Sequence, residues 1–176
     1  RLLNMARLVK TFDAFGVNYR THQFSAVYGL DLMEASGDMT PFQIFSHTEA
    51  ELDGKWHKLD SRYAINAYVT DLASILTPYT VMRSVMGIVS EFNFGFLSAW
   101  KGVRVPGRFL DGAATVVSAN SKPLVAQLQE NGTASLKDLE EYYSLEDAFK
   151  LFDINVAKGV NDAIANEAAA RMANKR

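Results

Sequence analysis

Cysteine is missing from all 176 residues, and with it go disulfide frameworks, zinc ribbons, thiol nucleophiles and iron–sulfur ligation. An excess of one charge is missing as well. Lys and Arg number 18 against 20 Asp and Glu, a formal charge of -2, so there is no broad basic footprint for gripping phosphates, and only a local patch could serve nucleic acid. No apolar run reaches the ~18 residues of a membrane helix. The nearest approach, Tyr79 to Trp100, is interrupted by Arg83, Ser84, Ser90, Glu91 and Asn93, and reads as a buried helix of a soluble protein. No segment joins a basic flank, an apolar stretch and a small-residue cleavage site, so a secretory signal is not visible. The sequence opens on Arg1-Leu2-Leu3 in place of methionine, as expected of a processed chain or one lacking its first residues, and leaves targeting unread.

Catalytic signatures are also missing: there is no G-x-G-x-x-G, no G-x-S-x-G and no H-E-x-x-H. Gly102 and Gly107 are spaced as in a phosphate loop, but no Lys-Ser or Lys-Thr follows, and Pro106 lacks a cradling amide. A turn is the expectation there. His47-Thr48-Glu49 matches half of a zinc-deaminase signature whose other half needs cysteines. The three histidines, His22, His47 and His57, fall in or near strands, with His47 expected opposite Asp60 rather than beside His57, so no metal site is expected. Asp53, Asp60, Asp71 and Glu91 are accounted for by caps, turns and solvated faces. Asn131-Gly132-Thr133 carries no weight as a glycosylation signal without a secretory route. The expectation is a protein without catalytic residues, metal or cofactor.

What is present is apolar content of 48%, enough for one core in a domain of this length. Leu2, Leu3, Met5, Ala6, Leu8, Val9 and Phe12 are spaced as one side of a helix ending before Gly16. Residues 17–24 are rich in β-formers, and Ser25 is an N-cap for a helix over 26–35. Thr40-Pro41 starts another, because proline at the first helical position gives up an amide that has no partner anyway. Asp53-Gly54 predicts a two-residue hairpin turn within 48–59. In that register Leu52 faces Lys55, Glu51 faces Trp56, Ala50 faces His57 and Glu49 faces Lys58.

Asp60-Ser61 caps a third helix, with Tyr63, Ile65, Ala67, Tyr68, Leu72 and Ile75 as its apolar groups and Thr77-Pro78 as its end. The next helix repeats Val81, Val85, Ile88, Val89, Phe92, Phe96 and Trp100, widened by Met82, Met86 and Leu97. It is expected in the middle of the core, with Gly95 admitting another backbone. Residues 101–112 are an irregular basic connection, and helix returns over 113–130, interrupted at Pro123 and stopped by Asn131-Gly132. Ser135 with Asp138, and Ser144 with Asp147, are aspartate variants of the capping box. The last helix carries Leu145, Ala148, Phe149, Phe152, Val156, Val160, Ala163 and Ile164, then turns alanine-rich. The predicted fold is mainly α with a small antiparallel β element, α+β, roughly half to two-thirds helix. A single helical domain spans 1–160, with its hairpin near 48–59, and 161–176 form a C-terminal helical arm.

The arm has little to bury except alanine, and short helices without tertiary contacts are marginal in water. It therefore either frays or finds another chain. A second candidate surface is the basic connection, where Lys101, Arg104 and Arg108 interleave with Trp100 and Phe109. Three cations on an acidic chain fit nucleic acid poorly, and bridges to carboxylates of the same or a neighbouring subunit account for them. The candidate partner-binding residues are thus Trp100, Arg104, Arg108, Phe109, Ala163, Ile164 and Met172. A competing idea places a ligand pocket or enzyme site between the core helix and the hairpin, lined by Trp56, Tyr63, Tyr68 and Trp100.

The run Tyr19-Arg-Thr-His-Gln-Phe-Ser-Ala-Val-Tyr-Gly-Leu-Asp-Leu-Met33, the short hairpin, Asn93-Phe-Gly-Phe-Leu97 and Tyr143-Ser-Leu-Glu-Asp-Ala-Phe-Lys-Leu-Phe152 together resemble small proteins of tailed bacteriophages. They are similar to the tail-assembly-chaperone and baseplate-associated group, over about two-thirds of the chain. The resemblance implies a non-enzymatic tail or baseplate component that acts through protein–protein contacts. Its partners would be other virion proteins and, as a homo-oligomer, itself, with no membrane span. It would be found in the virion or in the host cytoplasm during assembly. The same group includes chaperones of the tape-measure protein, the alternative role.

Overall fold

The computed structural model describes residues 7–35, 37–110 and 120–174. Its elements run β1 (Val9–Ala14), β2 (Val17–His22), α1 (Ala26–Glu34), α2 (Pro41–Phe45), β3 (Thr48–Leu52), β4 (Lys55–Lys58), α3 (Arg62–Tyr68), α4 (Pro78–Phe94), α5 (Pro123–Glu130) and α6 (Leu145–Ala173). Short 3-10 turns lie at Gly95–Ala99 and Gly107–Phe109, and a wide helical turn at Asp138–Tyr142. The fold is α+β, 57% helical, as the sequence predicts. Its sheet has four antiparallel strands in the order β1-β2-β3-β4.

The first element corrects the sequence reading. In place of the helix predicted up to Phe12, β1 is an edge strand paired with β2 from Val9↔His22 to Ala14↔Val17; Leu2, Leu3, Met5 and Ala6 lie outside the described residues. Phe15 and Gly16 have φ of 56° and 82°, the left-handed pair that a tight two-residue hairpin needs. A glycine in that conformation ends a helix as readily as it turns a hairpin, so the choice fell to pairing with β2. The second hairpin has the predicted register, from Glu49↔Lys58 to Leu52↔Lys55, with Asp53 and Gly54 at φ of 50° and 71°.

The sheet has two unlike faces. Val17, Tyr19, Thr21, Thr48 and Ala50 are buried on the inner one, where the Thr48 hydroxyl donates to Thr21 Oγ1 at 2.9 Å and so satisfies two buried polar groups at once. On the outer face Arg20 pairs with Glu49 and lies 4.4 Å over the Trp56 ring, while Asn18 Nδ2 donates to Glu51 Oε2 at 3.1 Å.

Against the inner face sits α4, started by the Thr77 cap and Pro78. It is not buried all round as predicted. Only Val81, Val85, Val89 and Asn93, one stripe at four-residue steps, are buried, and Arg83, Ser84 and Gly87 are exposed. The sheet packs on one side of the helix with α2 beside it, and among the described residues nothing covers Arg83, Ser84 and Gly87, so Met82, Met86 and Ile88 lie half-covered along its edges. Asn93 ends the stripe with a double duty: Oδ1 accepts the Phe24 amide at 2.6 Å, and Nδ2 donates to the Val89 carbonyl at 2.9 Å. That ties α4 to the connection between β2 and α1. At Gly95 the nearest neighbour an added side chain would meet is the Glu91 carboxylate of α4, one turn back, rather than a second backbone.

A second apolar cluster joins Ala26 and Leu30 of α1, Val125 and Leu128 of α5, Ala134, Leu139, and Leu145 and Ala148 of α6, with Phe94 touching both clusters. Two serines start its main helices side by side: Ser25 caps α1, Ser144 makes a reciprocal capping box with Asp147 at α6, and the Ala26 amide donates to the Tyr143 carbonyl at 2.9 Å. Gly29 lets the two helices close up, since a Cβ there would lie 3.0 Å from Leu145 Cβ. Of the helix predicted over 113–130, the structure has α5, stopped at Gly132 with φ of 65°; residues 111–119 lie outside the described ones. The last helix runs unbroken for 29 residues, about 43 Å at ~1.5 Å per residue, so its core-facing half and its arm are one rod. Among the described residues, no helix is long and apolar enough to cross a membrane.

Candidate docking surfaces

The third helix is shorter than the sequence suggests and ends at Tyr68. Residues 69–76 form a loop instead, and the cause is one side chain. The Asp71 carboxylate accepts the backbone amides of Ala73, Ile75 and Leu76 at 2.9, 2.8 and 2.9 Å. Those hydrogen bonds favour its ionised form and hold its carboxyl below the usual range. A carboxylate that gathers three amides gives the backbone an alternative to the helical ladder. The loop is also pinned at its start, where the Leu72 amide donates to the Phe15 carbonyl at 3.1 Å.

The consequence is an apolar corner turned to solvent. Leu72 and Ile75, predicted as part of a helix stripe, are 58% and 81% exposed, and Leu76, Tyr79 and Tyr63 are exposed with them. Beside this loop a hollow of about 440 Å³ opens between α3 and α4, lined by Ile65, Asn66, Val69, Pro78, Tyr79 and Met82. Ile65, Asn66 and Met82 also line an adjoining hollow with Pro41, Phe42 and Arg62. Sequence reasoning missed this surface. Its legible signal is Asp71 followed by Ser74 and Thr77-Pro78, a cluster of turn formers inside what the apolar spacing makes look like helix.

The second surface is the 100–110 segment lying along α6. Trp100 packs edge-on against Phe96 and Phe149, with centroids 5.8 and 5.6 Å apart. The Val103 amide donates to Asp153 Oδ1 at 2.7 Å. Arg108 pairs with Glu167 at 3.1 Å and lies 4.4 Å over the Phe109 ring. The expected bridge from this arginine to a carboxylate is thus made within the chain, and it straps the segment to the arm. Arg104 is exposed and Ala163 half-buried, while Ile164 and Met172 are 42% and 72% exposed. The structure therefore sets Trp100 against Phe149 and Arg108 against Glu167 of α6, with Phe109 under Arg108, and leaves Ile164 and Met172 exposed on that helix.

The four aromatics of the competing pocket go to different neighbours. Trp56 lies under Arg20, Tyr68 stacks on His57 at 4.2 Å, Trp100 joins the phenylalanines, and Tyr63 is 80% exposed. His47 packs against Phe24 and Tyr28; burial first, then Arg7 and His22, lowers its pKa. Among the described residues no three His, Asp or Glu side chains are grouped to hold a metal ion. Compared with known proteins, the chain matches no family model, no curated protein and no solved structure.

Proposed function

We propose that the protein is a non-enzymatic structural or assembly component of a tailed-phage virion, placed in the tail or baseplate region and working through protein–protein contacts, in the virion or in the host cytoplasm during assembly. The observation that supports this reading is the corner at 69–79. A contiguous apolar surface on a folded chain marks an interaction site, and here three amide-to-carboxylate bonds hold Leu72, Ile75 and Leu76 in a loop that shows them to solvent. The neighbouring hollow favours a second reading, a tail-assembly chaperone taking an apolar helix of the tape-measure protein, because helix-in-groove recognition uses such a trough.

Quantitative mass spectrometry of purified particles and of tail-assembly intermediates tests both. A fixed copy number in finished particles, reduced by Ile75→Asp without a change in melting temperature, is the result expected of a virion component. Presence with the tape-measure protein in intermediates but not in particles is the result expected of a chaperone. Absence from both sinks both readings.

A further inference from the structure

We infer that the hollow where β2 ends and β3 begins is a binding site for one tetrahedral oxyanion, a phosphate group, held by His22, His47, Lys58 and the Ser46 hydroxyl and separate from the docking surfaces described above. The hollow has a volume of about 210 Å³ and is lined by His22, Ser46, His47, Thr48, Glu49 and Lys58. Sheet pairing assembles it. The His22 amide donates to the His47 carbonyl at 3.0 Å, one step beyond Thr21↔Thr48, and Glu49↔Lys58 is the neighbouring pair. Because Thr21 and Thr48 are buried on the inner face, alternation turns His22, Glu49 and Lys58 to the outer one.

The charge left over at this hollow is positive. Glu49, the one carboxylate in the lining, is engaged by Arg20, and among the described residues neither Lys58 nor Arg7 is in an ion pair. Asp60, just past the end of β4, is exposed. His47 is faced by Arg7 from the segment before β1, by His22 from β2, and by the Phe24 and Tyr28 rings; burial first, then the two cationic groups, holds its pKa below the ordinary value. A bound oxyanion relieves that crowding of positive charge, whereas a metal cation adds to it. The donors suit an oxyanion as well. His47 Nδ1 lies 2.8 Å from Ser46 Oγ, while Nε2 has no partner among the described residues and is not buried, so it reaches solvent. Once His47 is protonated, Nδ1 donates to the serine, which leaves Nε2–H and the serine hydroxyl to donate to the anion beside the Lys58 ammonium.

The test uses the full chain, with sulfate and inorganic phosphate as probes, chloride at equal ionic strength as the reference, and the histidine side-chain signals followed by NMR. Sulfate stays doubly charged on both sides of the histidine range, so its affinity reports the protein's own titration. Binding at about pH 5.5 is expected to be at least about tenfold tighter than at about pH 8, with the pKa of His47 raised by the anion. Lys58→Gln should weaken binding about tenfold without a change in melting temperature, and His22→Gln should shrink the pH effect. Lys55→Gln removes an equal charge from the other end of β4 and should change affinity less than about twofold. Phenyl phosphate separates the sources: tighter binding than inorganic phosphate assigns the site to a phosphorylated ligand, and weaker binding to the free ion. The site is overturned by the lack of a saturable shift at either histidine, by an affinity indifferent to pH, or by equal losses from Lys55→Gln and Lys58→Gln, which would leave only diffuse attraction.

Discussion

The two apolar clusters of this protein are built by different means. Around the sheet, the core is made by residues far apart in sequence whose registers must match, and its buried polar groups, Thr21 with Thr48 and Asn93 with the Phe24 amide, are satisfied across elements. Around α1, α5 and α6 each helix carries its own start signal, Ser25 and Ser144 as caps of α1 and α6 and Pro123 at the first position of α5. The first region depends on tertiary pairing for its secondary structure. The second depends on tertiary contact mainly for its placement.

Truncation of a core residue is the largest expected break. Phe45→Ala in the sheet cluster should cost about 3–5 kcal/mol, and Leu139→Ala in the helical cluster about 2–5 kcal/mol. Because Phe94 belongs to both clusters, each loss should lower a single shared transition. The two tryptophans report separately, Trp56 from the sheet and Trp100 from the helical side, so fluorescence of Trp56→Phe and Trp100→Phe variants can show whether the regions instead melt apart.

Alkaline titration comes next. Burial pushes the Tyr19 hydroxyl up to about 12, and its hydrogen bond to the Tyr68 carbonyl at 3.2 Å keeps the proton in use. The folded form therefore holds a proton that the unfolded chain releases near pH 10, and the associated stability is complete below that pH and lost as pH rises from about 10 to 12. Two pH units correspond to about 3 kcal/mol. Denaturation midpoints across this range should fall for the parent and much less for Tyr19→Phe. His47 acts at the opposite end: with its pKa lowered in the fold, it adds stability above its ordinary value that is lost as pH falls through and below it.

Asn93→Ala should cost about 1–3 kcal/mol by leaving the buried Phe24 amide without its acceptor, and should loosen the joint between the regions, read as faster amide exchange at Phe24. In the helical region Ser144→Ala removes a reciprocal cap and should cost about 1 kcal/mol. Arg108→Ala breaks an exposed ion pair, and an effect of about 0–1 kcal/mol on thermal unfolding is expected. A large loss there would mean that the strap along α6 is part of the core, and the contrast between the regions would need redrawing.

The legible part of the fold was the part with short-range causes. Ser25, Thr40 with Pro41, Asp53-Gly54, Ser61, Ser144 with Asp147 and Gly132 act within four residues, and each appears where the sequence places it. What was not legible was decided at a distance. The residues from Leu8 to Phe12 are compatible with a helix or a strand, and only β2 beside them makes β1. Leu72 and Ile75 fit a helical stripe until Asp71 captures the amides that would extend it. Of the candidate residues, Trp100 and Arg108 each contact α6, at Phe149 and at Glu167, but the exposed corner at 69–79 was hidden by the same apolar spacing that led to the helix.

Sequence alone determined that this chain holds no cysteine chemistry, that proline, serine and threonine start its helices, and that its final helix runs out of large side chains. Only the tertiary structure decided which apolar residues are covered. Periodicity reports that a face is apolar, whereas its burial depends on whether another element arrives to meet it, and among the described residues none does for α4's outer side or the Asp71 loop.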